Sequence, residues 1–97
     1  MSRDQLLSVL RAHLQDVRRQ FGVKRLTLFG SAARDQMQRD SDVDILVEFQ
    51  GPPTFDGYMD LKAYLEALLG TGVDLVTEDA LKPRMRPLIE KDMVRVA

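Results

Sequence analysis

The sequence predicts an α/β domain, a small sheet covered by helices, and three observations carry that prediction. Segments with helical spacing of apolar residues alternate with short runs rich in strand formers. No linker, internal repeat or low-complexity stretch divides the 97 residues, so residues 1–97 read as one domain. The composition, 44% hydrophobic and 30% charged, is that of an ordinary globular chain with a single core.

The elements follow in order. Ser2 through Gln5 reads as a capping box, and Leu6, Leu10, Leu14, Val17 and Phe21 then recur on one helical face until Gly22. Arg25–Phe29 is a short strand broken by Gly30-Ser31, and a short helix is expected from Ser31 to about Gln38. Val43–Phe49 alternates, with Val43, Ile45, Val47 and Phe49 on one face and Asp44, Leu46 and Glu48 on the other. Gly51-Pro52-Pro53 is a turn, and Thr54 caps a helix carrying Tyr58, Leu61, Leu65, Leu68 and Leu69. After Gly70-Thr71-Gly72 comes a third strand, Val73–Thr77. Leu81–Lys91 reads as helical, with Pro83 in its first turn and Pro87 removing one backbone bond inside it. Met93–Val96 is a last short strand.

Composition excludes several classes of function. There is no cysteine, so disulfides and thiolate metal sites are out, and the single histidine, His13, cannot build a histidine-rich site. A net charge of −1 gives no field that would draw the chain to DNA or to an anionic membrane. No apolar run approaches a membrane span or a signal peptide, which makes a cytoplasmic protein the expectation.

Two features carry chemistry. The first is Ser41-Asp42-Val43-Asp44 at the entrance to the second strand. Alternation puts Asp42 and Asp44 on the same face, opposite the core residues Val43 and Ile45. Carboxylates about 4 Å apart repel by about 4 kcal/mol near a protein surface, so such a pair invites a cation or a proton. Hard oxygen donors suit Mg²⁺. Asp74 lies between Val73 and Leu75, an unusual residue for a short apolar strand. If the third strand lies beside the second in register, Asp74 completes a triad able to hold two Mg²⁺ ions.

The second feature is Phe29-Gly30-Ser31, a strand ending in a glycine turn at a helix start. Glycine allows close approach of a phosphate, Ser31 adds a hydroxyl, and Arg34 is long enough to reach a phosphate oxygen. Taken singly, each feature has a plain reading: a turn, a solvated strand start, an edge-strand charge on Asp74. The other polar candidates read as structural. His13 is a boundary residue, Tyr58 and Tyr64 are packing residues, and Lys82, Arg84, Arg86 and Lys91 are a solvated helix face.

Gly30-Ser31, ten residues, then Asp42-Val43-Asp44, flanked by apolar strands, resembles the signature of the DNA polymerase β-like nucleotidyltransferase superfamily. Leu28–Arg34, Ser41–Val47, Tyr64–Leu69 and Val73–Val76 are similar to the minimal nucleotidyltransferases (MNT domains), and the resemblance covers nearly the whole chain. It implies the polymerase β-like core, a small mixed sheet covered by helices. It also implies Asp42 and Asp44 as metal ligands, Asp74 as the third carboxylate activating an acceptor hydroxyl, and Gly30 and Ser31 holding the triphosphate of ATP. Two positions depart from the pattern. Asp35 stands where many members have glycine, adding negative charge near an anionic substrate, and Arg39 stands where many have proline.

The resemblance further implies an adenylyltransferase acting on a partner. Minimal nucleotidyltransferases are paired with helical HEPN proteins in toxin–antitoxin systems, where they attach AMP to a tyrosine of the HEPN ribonuclease. Two alternatives stand beside that expectation: a non-catalytic module that neutralises its partner by occlusion, and an enzyme that modifies a small molecule.

Overall fold

A computed structural model describes residues 2–38 and 41–96. The elements are α1 (Arg3–Ala12), α2 (Leu14–Phe21), β1 (Val23–Phe29), α3 (Gly30–Ala33), β2 (Val43–Phe49), α4 (Phe55–Leu69), β3 (Val73–Thr77), α5 (Arg86–Glu90) and β4 (Val94–Arg95). A 3-10 turn spans Glu78–Ala80. The strands form one mixed sheet in the order β3-β2-β1-β4, parallel between β2 and β3 and antiparallel elsewhere.

The expected capping box is present: Gln5 N–H donates to Ser2 Oγ at 3.2 Å and Ser2 N–H to Gln5 Oε1 at 2.8 Å. The single first helix expected from the apolar spacing is instead two helices broken at His13. His13 N–H turns to the Leu10 carbonyl, and its ring Nδ1 lies 3.0 Å from the Val9 carbonyl. A side chain thus takes the place of the main chain as Val9's partner, which interrupts the helical ladder. Gly22 and Gly70 end α2 and α4 in the left-handed conformation, and Thr54 caps α4 through Gly57 N–H.

Two further expectations are corrected. The helix after Gly30 stops at Ala33 rather than near Gln38, because Asp35 adopts φ 58° and Gln36 N–H closes back onto Ser31 O at 2.8 Å. The helix expected over Leu81–Lys91 begins only at Arg86. Pro83 cannot donate a backbone bond, and the helix forms where Pro87 falls in the first turn and costs no bond.

α1, α2 and α4 cover one face of the sheet. Leu6, Leu10, Val17, Leu26, Leu28, Ile45, Leu61 and Leu65 form its core, with almost no exposure to solvent. Leu46 and Leu81 are also buried but lie outside that cluster. The chain between the outer strands β3 and β4 therefore packs the opposite face, where Thr27 and Leu46 lie side by side. The free edge of β3 is closed by α4: Tyr58 Oη donates to Leu75 O, and Glu66 Oε2 accepts from Val73 N–H at 3.0 Å. This protects an edge that would otherwise pair with another strand. It also gives Tyr58 the structural role expected of it, as does the packing of Tyr64 against Phe21, centroids 5.3 Å apart. Among the described residues no helix is long and apolar enough to cross a membrane.

Candidate active site

The end of β1 and the starts of β2 and β3 meet at one end of the sheet. Register places Phe29 opposite Asp44, and Asp44 opposite Asp74. The parallel, in-register pairing that a triad requires is therefore present between β2 and β3. Asp42 precedes β2 by one residue, and Val43 N–H donates to Gly72 O at 2.9 Å, which fixes the approach of the two chains. Asp42 and Asp74 are exposed and Asp44 is half-buried.

Electrostatics single out Asp44. Burial, then the charge of Asp74 and a hydrogen bond with it, then the charge of Asp42, raise its carboxyl from 3.8 to about 6, against the opposing charge of Arg34. All three aspartates thus act on one locus. They do not close to a single shell: among the described residues no three acidic or histidine side chains stand close enough to hold one metal ion. The Asp44 carboxylate leans on Gly30 and that of Asp42 on Gly72, a spread that mutual repulsion favours. Both glycines are cradles. A Cβ at Gly30 would lie 3.1 Å from Asp44 Cγ, and one at Gly72 3.2 Å from Asp42 Cγ. The donor set, carboxylate oxygens alone at an open strand end, has the chemistry that suits Mg²⁺.

Gly30 has φ 68°, a left-handed conformation that turns the chain from β1 directly into α3. Ser31 lies in that single helical turn beside Asp44's strand, as expected. Arg34 follows, and its charge acts on Asp44, but its guanidinium is already engaged. Nη1 donates to Asp92 Oδ2 at 2.9 Å, and Nε to Gln36 Oε1 at 3.2 Å. Asp92 was not marked by the sequence, since it lies 58 residues away and no spacing signals it.

Asp35 is placed differently from the expectation. Its Oδ1 accepts from Arg3 N–H at 2.8 Å, so its charge is spent on the start of α1. Its φ of 58° explains why glycine suits the position and why an aspartate is tolerated there. Arg39 lies outside the described residues. Arg86, expected on a solvated face, is paired with Glu78 and Glu90. A cleft of about 370 Å³ lies at the far end of β2 and β3, lined by Val47, Glu48, Thr77 and Glu78, away from the aspartates.

Comparison with known proteins bears on this geometry. Residues 10–96 match the model of the nucleotidyltransferase domain. The chain is 41% identical over 93 residues to the protein adenylyltransferase MntA of Thermococcus cleftensis, covering 96% of this chain and 94% of that protein. A solved structure assigned as a minimal nucleotidyltransferase superposes with TM-score 0.81 at 35% identity, covering 97% and 95% of the two chains. A chain from the complex of a tri-AMPylated Shewanella oneidensis HEPN toxin with an MNT antitoxin shares the fold, with TM-score 0.67 at 17% identity, covering 94% and 71%.

Proposed function

Because the chain belongs to the nucleotidyltransferase domain family, we propose that it transfers AMP from ATP to a hydroxyl of a partner protein, and that this partner is a HEPN-type toxin. The observation that carries the reading is the juxtaposition of Asp44 with Asp74 across β2 and β3, with Gly30 closing on Asp44 from β1. The MntA relative supports protein adenylylation as the activity, and the HEPN–MNT complex supports the class of partner.

Asp42, Asp44 and Asp74 are the residues that would hold Mg²⁺, which when bound neutralises the triphosphate and assists the acceptor oxygen. The Gly30 turn brings backbone N–H groups and the Ser31 hydroxyl to the same strand end, where they hold the triphosphate. Arg34 offers a guanidinium to a phosphate oxygen. Asp74, the exposed member of the facing pair, takes the acceptor's proton. The acceptor oxygen then bonds to the α-phosphorus as the bond to the pyrophosphate oxygen breaks. Nothing in this sequence of events needs a covalent bond to this chain, so its contribution is positioning, charge and the acceptance of one proton.

The test is incubation with the HEPN-type partner, ATP and Mg²⁺, followed by intact-mass analysis of the partner. A mass gain in whole AMP increments supports the reading. An unchanged mass with toxicity still lost assigns neutralisation to occlusion, and AMP found only on a small molecule moves the acceptor there.

A further inference from the structure

We propose that Asp92 is a positioning residue: with Gln36 it fixes the Arg34 guanidinium at the rim of the aspartate site, leaving Nη2 for a phosphate. This deepens the function proposed above and rests on Arg34 serving the triphosphate.

The geometry is specific. Arg34 leaves the chain where α3 has just ended, on an exposed surface. A free arginine there would sample many rotamers. Instead Nε donates to Gln36 Oε1 at 3.2 Å and Nη1 to Asp92 Oδ2 at 2.9 Å. A guanidinium has five N–H donors in a rigid plane, so two bonds from different nitrogens set its orientation, and Nη2 lies outside both. Arg34 follows directly on the four-residue α3, whose first residue, Gly30, meets the Asp44 carboxylate, so its backbone is anchored within one helical turn of that side chain. Ordering such a side chain before the ligand arrives removes part of the entropic cost of binding.

The pair is a weak source of stability. Its side chains are 43% and 29% exposed, and ion pairs of that kind contribute little to folding. Yet it joins the turn between α5 and β4 to the loop after α3, 58 residues apart in sequence. The turn before β4 thereby reaches the rim of the site, which β4 itself does not, since it pairs with β1 at Thr27 and Leu28. Asp92 also carries negative charge toward an anionic ligand, an effect that screening at an exposed site reduces. Orientation of the fork is the larger effect.

The experiment is a double-mutant cycle read by calorimetric binding of Mg²⁺ with a non-hydrolysable ATP analogue, which requires no turnover. Arg34→Ala is expected to weaken binding by about tenfold or more. Asp92→Ala is expected to weaken it by about three- to fivefold. Asp92→Asn, which keeps an acceptor oxygen, should lose less than Asp92→Ala. The deciding value is coupling: Asp92→Ala should add no loss in the Arg34→Ala background. An equal loss in both backgrounds would mean that Asp92 acts through the docking of β4, and the proposal fails. Tighter binding by Asp92→Ala would make Asp92 a competitor for Arg34 and also overturns it. No loss from Arg34→Ala, in a protein whose Asp44→Asn variant does lose the nucleotide, would sink this inference and leave the proposed function standing. If the wild type binds no nucleotide, the proposed function itself has failed.

Discussion

Asp44 and Asp74 face each other across two parallel strands, and burial together with that neighbour lifts the Asp44 carboxyl from 3.8 to about 6. The folded state therefore holds this proton more tightly than the unfolded chain does. The resulting stabilisation is complete below the unfolded value of 3.8 and is lost as pH rises through about 6. A shift of that size is worth about 3 kcal/mol unscreened, and about 1–2 kcal/mol at a half-exposed carboxyl. Urea denaturation of chelator-treated wild type and Asp44→Asn should show the variant gaining about 1–2 kcal/mol relative to wild type over that pH window. A constant difference would mean that Asp44 titrates normally.

The same substitution separates a nucleotide site from three unrelated surface aspartates. A ligand at a hundredfold its Kd stabilises the folded state by about 2.7 kcal/mol, and a domain of this size gains roughly 4–8 °C in Tm per kcal/mol. Mg²⁺ with ATP should thus raise the wild-type Tm by roughly 10 °C or more under those conditions. In Asp44→Asn the shift should vanish, because a proposed ligand oxygen and its charge are gone. An identical shift in both proteins would place the nucleotide elsewhere.

Gly30 and Ser31 should respond very differently to alanine. At Gly30 a side chain meets the Asp44 carboxylate and must also adopt φ 68°, which costs about 1–2 kcal/mol before any steric term. Gly30→Ala is expected to lower stability by at least that much and to abolish transfer by displacing Asp44. Ser31→Ala removes one neutral hydrogen bond, worth about 0.5–1.5 kcal/mol, so transfer should fall by about tenfold at most. Initial rates and urea midpoints for the two variants decide the point. Similar losses from both would contradict the close approach at Gly30.

Much of this was legible in the sequence because local rules and packing agree there. The capping box, the glycine stops, β2 at Val43–Phe49 and β3 at Val73–Thr77 follow from residue pattern alone. The pairing of Asp44 with Asp74 was legible only as a condition, that β3 lie beside β2 in register, because side-chain alternation fixes the face of a strand and not its neighbour. The break at His13 was not legible, because Leu14 and Val17 keep the apolar period across it while one ring competes for one carbonyl. The buried Leu46 on the aspartate face was hidden by strand alternation, which gives no sign of which segment returns to cover it. The Arg34–Asp92 pair is a tertiary contact between two exposed polar residues, and such contacts leave no periodic trace. Asp35 illustrates the middle case: its departure from the family pattern was visible, but the partner that absorbs its charge was not.

That residue gives the last test. From sequence, Asp35 places a negative charge beside an anionic substrate; in the structure its carboxylate accepts from Arg3 N–H at the start of α1 while its backbone holds φ 58°. The two accounts predict different things. If the charge repels the nucleotide, Asp35→Ala and Asp35→Gly should both tighten nucleotide binding. If the carboxylate serves α1, binding should not change and stability should separate the variants. Asp35→Ala keeps a Cβ in the left-handed region and loses the bond to Arg3, a cost of about 1–2 kcal/mol. Asp35→Gly loses the same bond but relieves the backbone, so the two effects nearly cancel, to within about 0.5 kcal/mol. The measurements are urea midpoints for the three proteins and nucleotide affinities by calorimetry. Amide exchange at Arg3 should quicken in both variants as its acceptor disappears. Equal stability of the alanine and glycine variants would remove the backbone argument, and tighter nucleotide binding in both would restore the repulsion that the sequence alone suggests.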